Sequence, residues 1–259
     1  MREMADHGVR VLLKPDDNKP RKLKYNLGHR RILTFGGAYS NHIRAVAAAG
    51  QAHGIETVGI IRGEEHLPLN PTLAHAVSCG MRLGYLDRAA YRLKHTPAVQ
   101  AGLLERYGEA AILPEGGSNA AAVRGCAELP AEITEEYDVI CCAVGTGGTL
   151  AGVSAGLPEG RRAIGFPVLK GGGFLAGEVE RLQREAYGRV WDNWRLETGY
   201  HFGGYARSTP ELDAFAARHG VERVYVAKML YGVLDLAAKG AFPRGTRVIA
   251  LVTSSLTIF

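Results

Sequence analysis

The chain has 259 residues, 46% apolar and 22% charged, with a formal net charge of +5. That length holds one large domain or two modest ones with a real core, and no apolar stretch approaches the roughly 18 residues of a membrane-spanning helix. The basic excess is scattered and not interleaved with aromatics, which disfavours nucleic acid and suits an anionic small ligand.

The start, Met1-Arg-Glu-Met-Ala-Asp6, lacks the apolar core of a signal peptide. Cys79, Cys126, Cys141 and Cys142 lie in apolar contexts without zinc spacing. They read as buried thiols of a reducing cytoplasm.

Val9 to Leu13 is a short predicted strand, followed by a polar turn leading into a short helix. Pro20 suits the first helical turn and places Lys19 beside the helix start, where the positive dipole end disfavours a cation. On residue type alone, Lys19 is a solvated turn lysine. Arg31 to Phe35 is a strand, Gly36 to His42 a loop, Ile43 to Gly54 an alanine-rich helix and Thr57 to Ile61 the next strand. This is a βαβ unit with a parallel sheet. Ser40, Asn41 and His42 stand at a strand's C-terminal end and a helix N-terminus, where such sheets keep ligands. Ser40 or Asn41 equally suits a helix cap.

Pro71 to Cys79 is a helix, Met81 to Tyr85 a strand, Pro97 to Tyr107 a helix and Ala110 to Leu113 a strand. Pro114-Glu-Gly-Gly-Ser-Asn119 then opens the helix Ala120 to Ala127. Val139 to Val144 is an apolar run without alternation, as in a strand buried on both faces. It breaks into Gly145-Thr-Gly-Gly-Thr149 before a helix that starts at Leu150. A glycine turn ahead of a helix N-terminus is a cradle for an anion, phosphate above all. It lacks the lysine of a triphosphate loop. The following strand, Ala163 to Phe166, lacks the acid that a dinucleotide's ribose requires.

Ala176 to Glu185 is a helix and Trp191 to Arg195 a strand; His201 to Arg207 is a glycine-aromatic loop. Pro210 to Arg218 and Tyr225 to Lys239 are helices, and Val248 to Val252 is a final buried strand ending at Thr253-Ser254-Ser255. Four glycine-rich loops at strand ends suggest one cleft between two α/β lobes.

Five of these segments, in order, resemble one family: the pyridoxal-phosphate (PLP) enzymes of the tryptophan-synthase-β-like fold, in the branch of 1-aminocyclopropane-1-carboxylate (ACC) deaminase and D-cysteine desulfhydrase. They are Asn18-Lys-Pro-Arg-Lys-Leu23, Phe35-Gly-Gly-Ala-Tyr-Ser-Asn-His42, Pro114-Glu-Gly-Gly-Ser118, Val144-Gly-Thr-Gly-Gly-Thr149 and Tyr225 through Gly232. The resemblance implies two lobes, each a mostly parallel sheet flanked by helices. Residues 1–31 with 114–259 would form the larger, cofactor-binding domain, and 32–113 the smaller. It also implies a homodimer and a small amino-acid substrate, with no nucleic acid or membrane partner.

By the same resemblance Lys19 carries pyridoxal 5'-phosphate as a Schiff base, and Gly145, Thr146, Gly147, Gly148 and Thr149 hold its phosphate. Asn41 bonds the ring's 3-oxygen, Ser40 faces the substrate, and Tyr205 and Tyr225 handle a proton or the leaving group. Val226 stands where ACC deaminases carry a glutamate for the pyridine nitrogen, so Thr253 or Ser254 takes that role. His42 and Val226 lean toward desulfhydrase-like chemistry. Asp16-Asp17 beside Lys19, where the family has glycines, and the short helix after Lys22 keep a second reading open: a PLP-binding homologue without turnover. A nucleotide-binding Rossmann protein is a third, against which the missing ribose acid counts.

Overall fold

The computed structural model describes residues 2–253. The elements run β1 (Arg2–Asp6), β2 (Val9–Pro15), α1 (Asn18–Lys24), β3 (Arg31–Gly36), α2 (Asn41–His53), β4 (Glu56–Arg62), α3 (Pro71–Ser78), β5 (Arg82–Leu86), α4 (Arg88–Arg92), α5 (Pro97–Tyr107), β6 (Ala111–Leu113) and α6 (Ala120–Ala127). They continue with β7 (Val139–Val144), α7 (Gly148–Gly156), β8 (Arg162–Pro167), α8 (Leu175–Tyr187), β9 (Trp194–Leu196), α9 (Pro210–His219), α10 (Val226–Ala238) and β10 (Arg247–Val252). Two compact units result: residues up to Asn18 with those from Val123 onward, and Lys19–Ala122. The divisions fall after residues 18 and 122 rather than 31 and 113. Leu23 of α1 packs in the core of the second unit with Ile32 and Leu113, which draws that helix into it.

The first unit is built on a six-stranded sheet of order β1-β2-β10-β7-β8-β9. All pairings are parallel except β1 with β2, a hairpin closed at His7-Gly8. Alternate residues of the strands face opposite sides of the sheet. Val11, Leu13, Cys141, Ala143, Ile164, Phe166, Val248 and Ala250 form one core with Leu212 of α9 and Val226, Met229, Leu230 and Val233 of α10. Ile140, Cys142 and Val144 alternate with these and are equally buried, so β7 is covered on both faces. That is why its sequence shows no alternation.

Next to β7, α6 crosses α7 at very close range. A methyl group on Gly156 would lie 1.9 Å from the Ala127 carbonyl oxygen, and one on Gly152 would lie 2.5 Å from that of Val123. The free thiols of Cys126, Cys141 and Cys142 are buried, and burial pushes the Cys142 thiol up to about 12. It stays protonated and inert.

The second unit carries a four-stranded parallel sheet of order β5-β4-β3-β6. One face packs Ile32 and Ile61 against Ile43, Val46 and Ala47 of α2 and Leu73 and Ala76 of α3. The other packs Leu33, Phe35, Val58 and Ile60 against Tyr91 and Leu103 and Tyr107 of α5. Among the described residues, no helix is long and apolar enough to cross a membrane.

Candidate active site

In the first unit, β7 runs into Gly145-Thr146-Gly147 and α7 begins at Gly148. Gly147 occupies the N-cap position with φ 82°, a left-handed conformation natural to glycine. Among the described residues, no side-chain capping bond closes this helix end. A capping serine or aspartate would take up the first-turn N–H groups and compete with a ligand for them. Thr149 is buried, and its Oγ1 accepts a hydrogen bond from Asn18 Nδ2 at 2.7 Å. The hydroxyl hydrogen is not used in that bond. This is the donor set of an anion cradle: main-chain amides, a hydroxyl and the positive end of a helix.

Tyr225 flanks the same turn. A methyl group on Gly145 would come within 3.2 Å of the Tyr225 ring. Tyr225 meets Tyr205 edge-on with ring centroids 6.0 Å apart, and Tyr205 remains 44% exposed. Glu222 accepts hydrogen bonds from the main-chain amides of Val224, Tyr225 and Val226 at 2.6–2.8 Å, which fixes the start of α10. Thr253 is buried directly after β10; Ser254 lies outside the described residues. Val226 is completely buried in the apolar core. The Asp16 carboxylate faces the Lys14 ammonium at 3.9 Å.

In the second unit, Lys19 is the second residue of α1 and is half-buried. One turn on, Lys22 is buried, and its Nζ donates to Gly116 O at 2.5 Å and Ser118 Oγ at 2.8 Å. The Pro114–Ser118 loop is thereby tied to α1. Asn26 and Asn119 exchange side-chain hydrogen bonds of 2.8 and 3.3 Å and extend the tie. Ser40 is the N-cap of α2, its Oγ accepting from Ile43 N at 3.3 Å. Asn41 opens α2 and is exposed.

His42 is buried next to these lysines. Thr34 Oγ1 gives its one hydrogen to Leu113 O at 3.0 Å, so it accepts from His42 Nε2 at 2.7 Å. Nε2 carries the ring hydrogen and Nδ1 the lone pair. A methyl group on Gly117 would lie 2.9 Å from the ring, so a glycine is required where that loop crosses it. Burial above all, and then the charges of Lys22 and Lys19, push the histidine's pKa down to about 3. His42 therefore adds no positive charge near Lys19 at neutral pH.

Within each unit, residues distant in sequence converge. Gly145–Thr149, Tyr205 and Tyr225 come together in one, and Lys19, Lys22, His42 and the Pro114–Ser118 loop in the other. Asn18, Lys22 and Ser118 lie inside the sequence motifs, but the sequence alone gives them no role. Their partners, 131 and 96 residues away, leave no local mark.

No family model matches the chain. A Pyrococcus furiosus protein provisionally named 1-aminocyclopropane-1-carboxylate deaminase is 31% identical over 284 residues, covering 96% of this chain and 86% of the relative. The bifunctional D-cysteine desulfhydrase/ACC deaminase of Arabidopsis thaliana mitochondria is 27% identical over 277 residues, covering 90% of this chain and 69% of that protein. The crystal structure of an ACC deaminase homologue superposes with a TM-score of 0.81 at 27% identity, covering 96% of this chain and 85% of the other. This chain belongs to the ACC deaminase/D-cysteine desulfhydrase family.

Proposed function

We propose that the protein is a pyridoxal 5'-phosphate-dependent lyase or deaminase of a small amino acid, with D-cysteine-type elimination favoured over ACC ring opening. The observation that carries the reading is the uncapped turn between β7 and α7, with the Thr149 hydroxyl oriented by Asn18. It fits a phosphate monoester. The cofactor, when bound, supplies an electron sink for the substrate's α-carbon.

The chain's own groups do the rest. Gly145, Thr146, Gly147, Gly148 and Thr149 bind the phosphate. Lys19 would hold the cofactor, and its amine would be the base that takes the substrate's α-proton. It must be uncharged to act as a base. The Ser40 hydroxyl, which accepts the α2 capping bond, keeps its hydrogen to donate to the substrate carboxylate. Asn41 would hold the ring's 3-oxygen, and Thr253 would offer a hydroxyl to the pyridine nitrogen. Tyr225 and Tyr205 pass a proton to the departing thiol.

The lean toward elimination rests on Val226. Its side chain is sealed in the core and offers no carboxylate to a pyridinium. A homodimer accompanies this reading. Incubating the PLP-reconstituted protein with D-cysteine, L-cysteine and ACC, with sulfide and 2-oxo acid assayed, tests it. Sulfide and pyruvate from D-cysteine are expected. Turnover of ACC alone would defeat the elimination reading, and a bound cofactor with no turnover would favour the non-catalytic homologue.

A further inference from the structure

Lys228 on α10 has no exposed surface. Buried ammonium groups are normally matched by a carboxylate. Among the described residues none pairs with Lys228, and nearby Glu222 is already engaged by three main-chain amides. The Lys228 Nζ donates instead to two carbonyl oxygens, His201 O at 2.9 Å and Gly204 O at 2.7 Å. Both belong to the glycine-aromatic loop that carries Tyr205.

That loop has a costly backbone. Phe202 and Ala206, neither of them glycine, have φ of 48° and 54°, and Gly203 and Gly204 have φ of 86° and 115°. At Phe202 and Ala206 such conformations persist only where the surroundings impose them. The loop's own bonds are few: Gly203 N to His201 Nδ1 at 3.0 Å, Gly204 N to His201 O at 3.0 Å and Arg207 N to Gly204 O at 3.1 Å.

α10 supplies the rest. Lys228 and Tyr231, three residues apart, share a face of the helix, and Tyr225 is its N-cap residue. Tyr225 meets Tyr205, Lys228 meets the two carbonyls, and Tyr231 meets Phe202 with ring centroids 5.0 Å apart.

We propose that Lys228 is a positioning residue, whose ammonium fixes the His201–Arg207 loop in its left-handed turn and so holds Tyr205 against Tyr225. The loop-holding role stands on the geometry alone; what Tyr205 then does rests on the proposed function.

Hydrogen exchange of the full chain, with and without PLP, tests the first part. In Lys228→Met, the amides of Gly203, Gly204 and Arg207 exchange about tenfold faster or more, with β7 and β10 unchanged. Lys228→Arg, which keeps charge and donors, recovers most of the protection. Should Lys228→Met not fold, Lys228→Gln must show the same loop-confined acceleration. Loop exchange equal to wild type, or acceleration spread evenly through the sheet, overturns the proposal.

Kinetics test the second part. Lys228→Met lowers kcat for D-cysteine about tenfold or more while the cofactor's absorbance is retained, and Tyr205→Phe adds little further loss in that background. Additive losses overturn the coupling to Tyr205. A wild-type chain without turnover refutes the proposed function and leaves the exchange result to decide the role of Lys228.

Discussion

At the residue scale, His42 shows how a buried ring reports its surroundings. Its lone hydrogen goes to Thr34, its ring lies under Gly117, and burial, reinforced by the charges of two lysines, keeps it neutral. The folded pKa of about 3 lies below the ordinary 6.5, so the unfolded chain binds the extra proton between those values. The stability this provides is complete above pH 6.5 and is lost as pH falls toward 3, by about 1.4 kcal/mol per pH unit in mid-window. Denaturant titrations from pH 7 to 4 check this: His42→Gln shows a slope shallower by nearly one proton, and an unchanged slope contradicts the buried neutral ring. The sequence marked His42 as part of a motif and read it as a hint of substrate preference. Its tautomer was not legible, because Thr34 and Leu113 reach it through the fold. The same holds for Lys22, whose partners Gly116 and Ser118 follow four strands and four helices later.

At the element scale, most strands and helices could be read from apolar runs and caps. The observed Pro97–Tyr107 and Ala120–Ala127 coincide with the expected helices. The two missed elements are short. β1 has mixed polarity and belongs to a hairpin at the sheet edge. α4 spans five residues and is capped by Asp87. Neither has the length over which a periodicity can be recognised.

Nor does a sequence pattern show how closely two helices cross. Gly156→Ala drives a methyl group into the backbone of α6 and is expected to cost about 2 kcal/mol or more. Gly102→Ala, inside α5 with open space around its Cα, should gain about 0.5–1 kcal/mol. Thermal unfolding of both variants checks the pair, and similar shifts for the two would contradict the close α6–α7 crossing.

At the scale of the whole molecule, two mostly parallel sheets followed from buried strands separated by helices. The unit boundaries were less legible, because Leu23 carries α1 into the second core through a long-range contact rather than a composition shift. Lys19, Ser40 and Asn41 belong to one unit, and Gly145–Thr149, Tyr205, Tyr225 and Thr253 to the other. The most direct measurement is the visible spectrum of the purified chain with PLP, then borohydride reduction and peptide mapping. A visible band that reduction abolishes, leaving a single stable adduct on Lys19, is the predicted result. No band, or adducts scattered over exposed lysines with Lys19 unmodified, would contradict it.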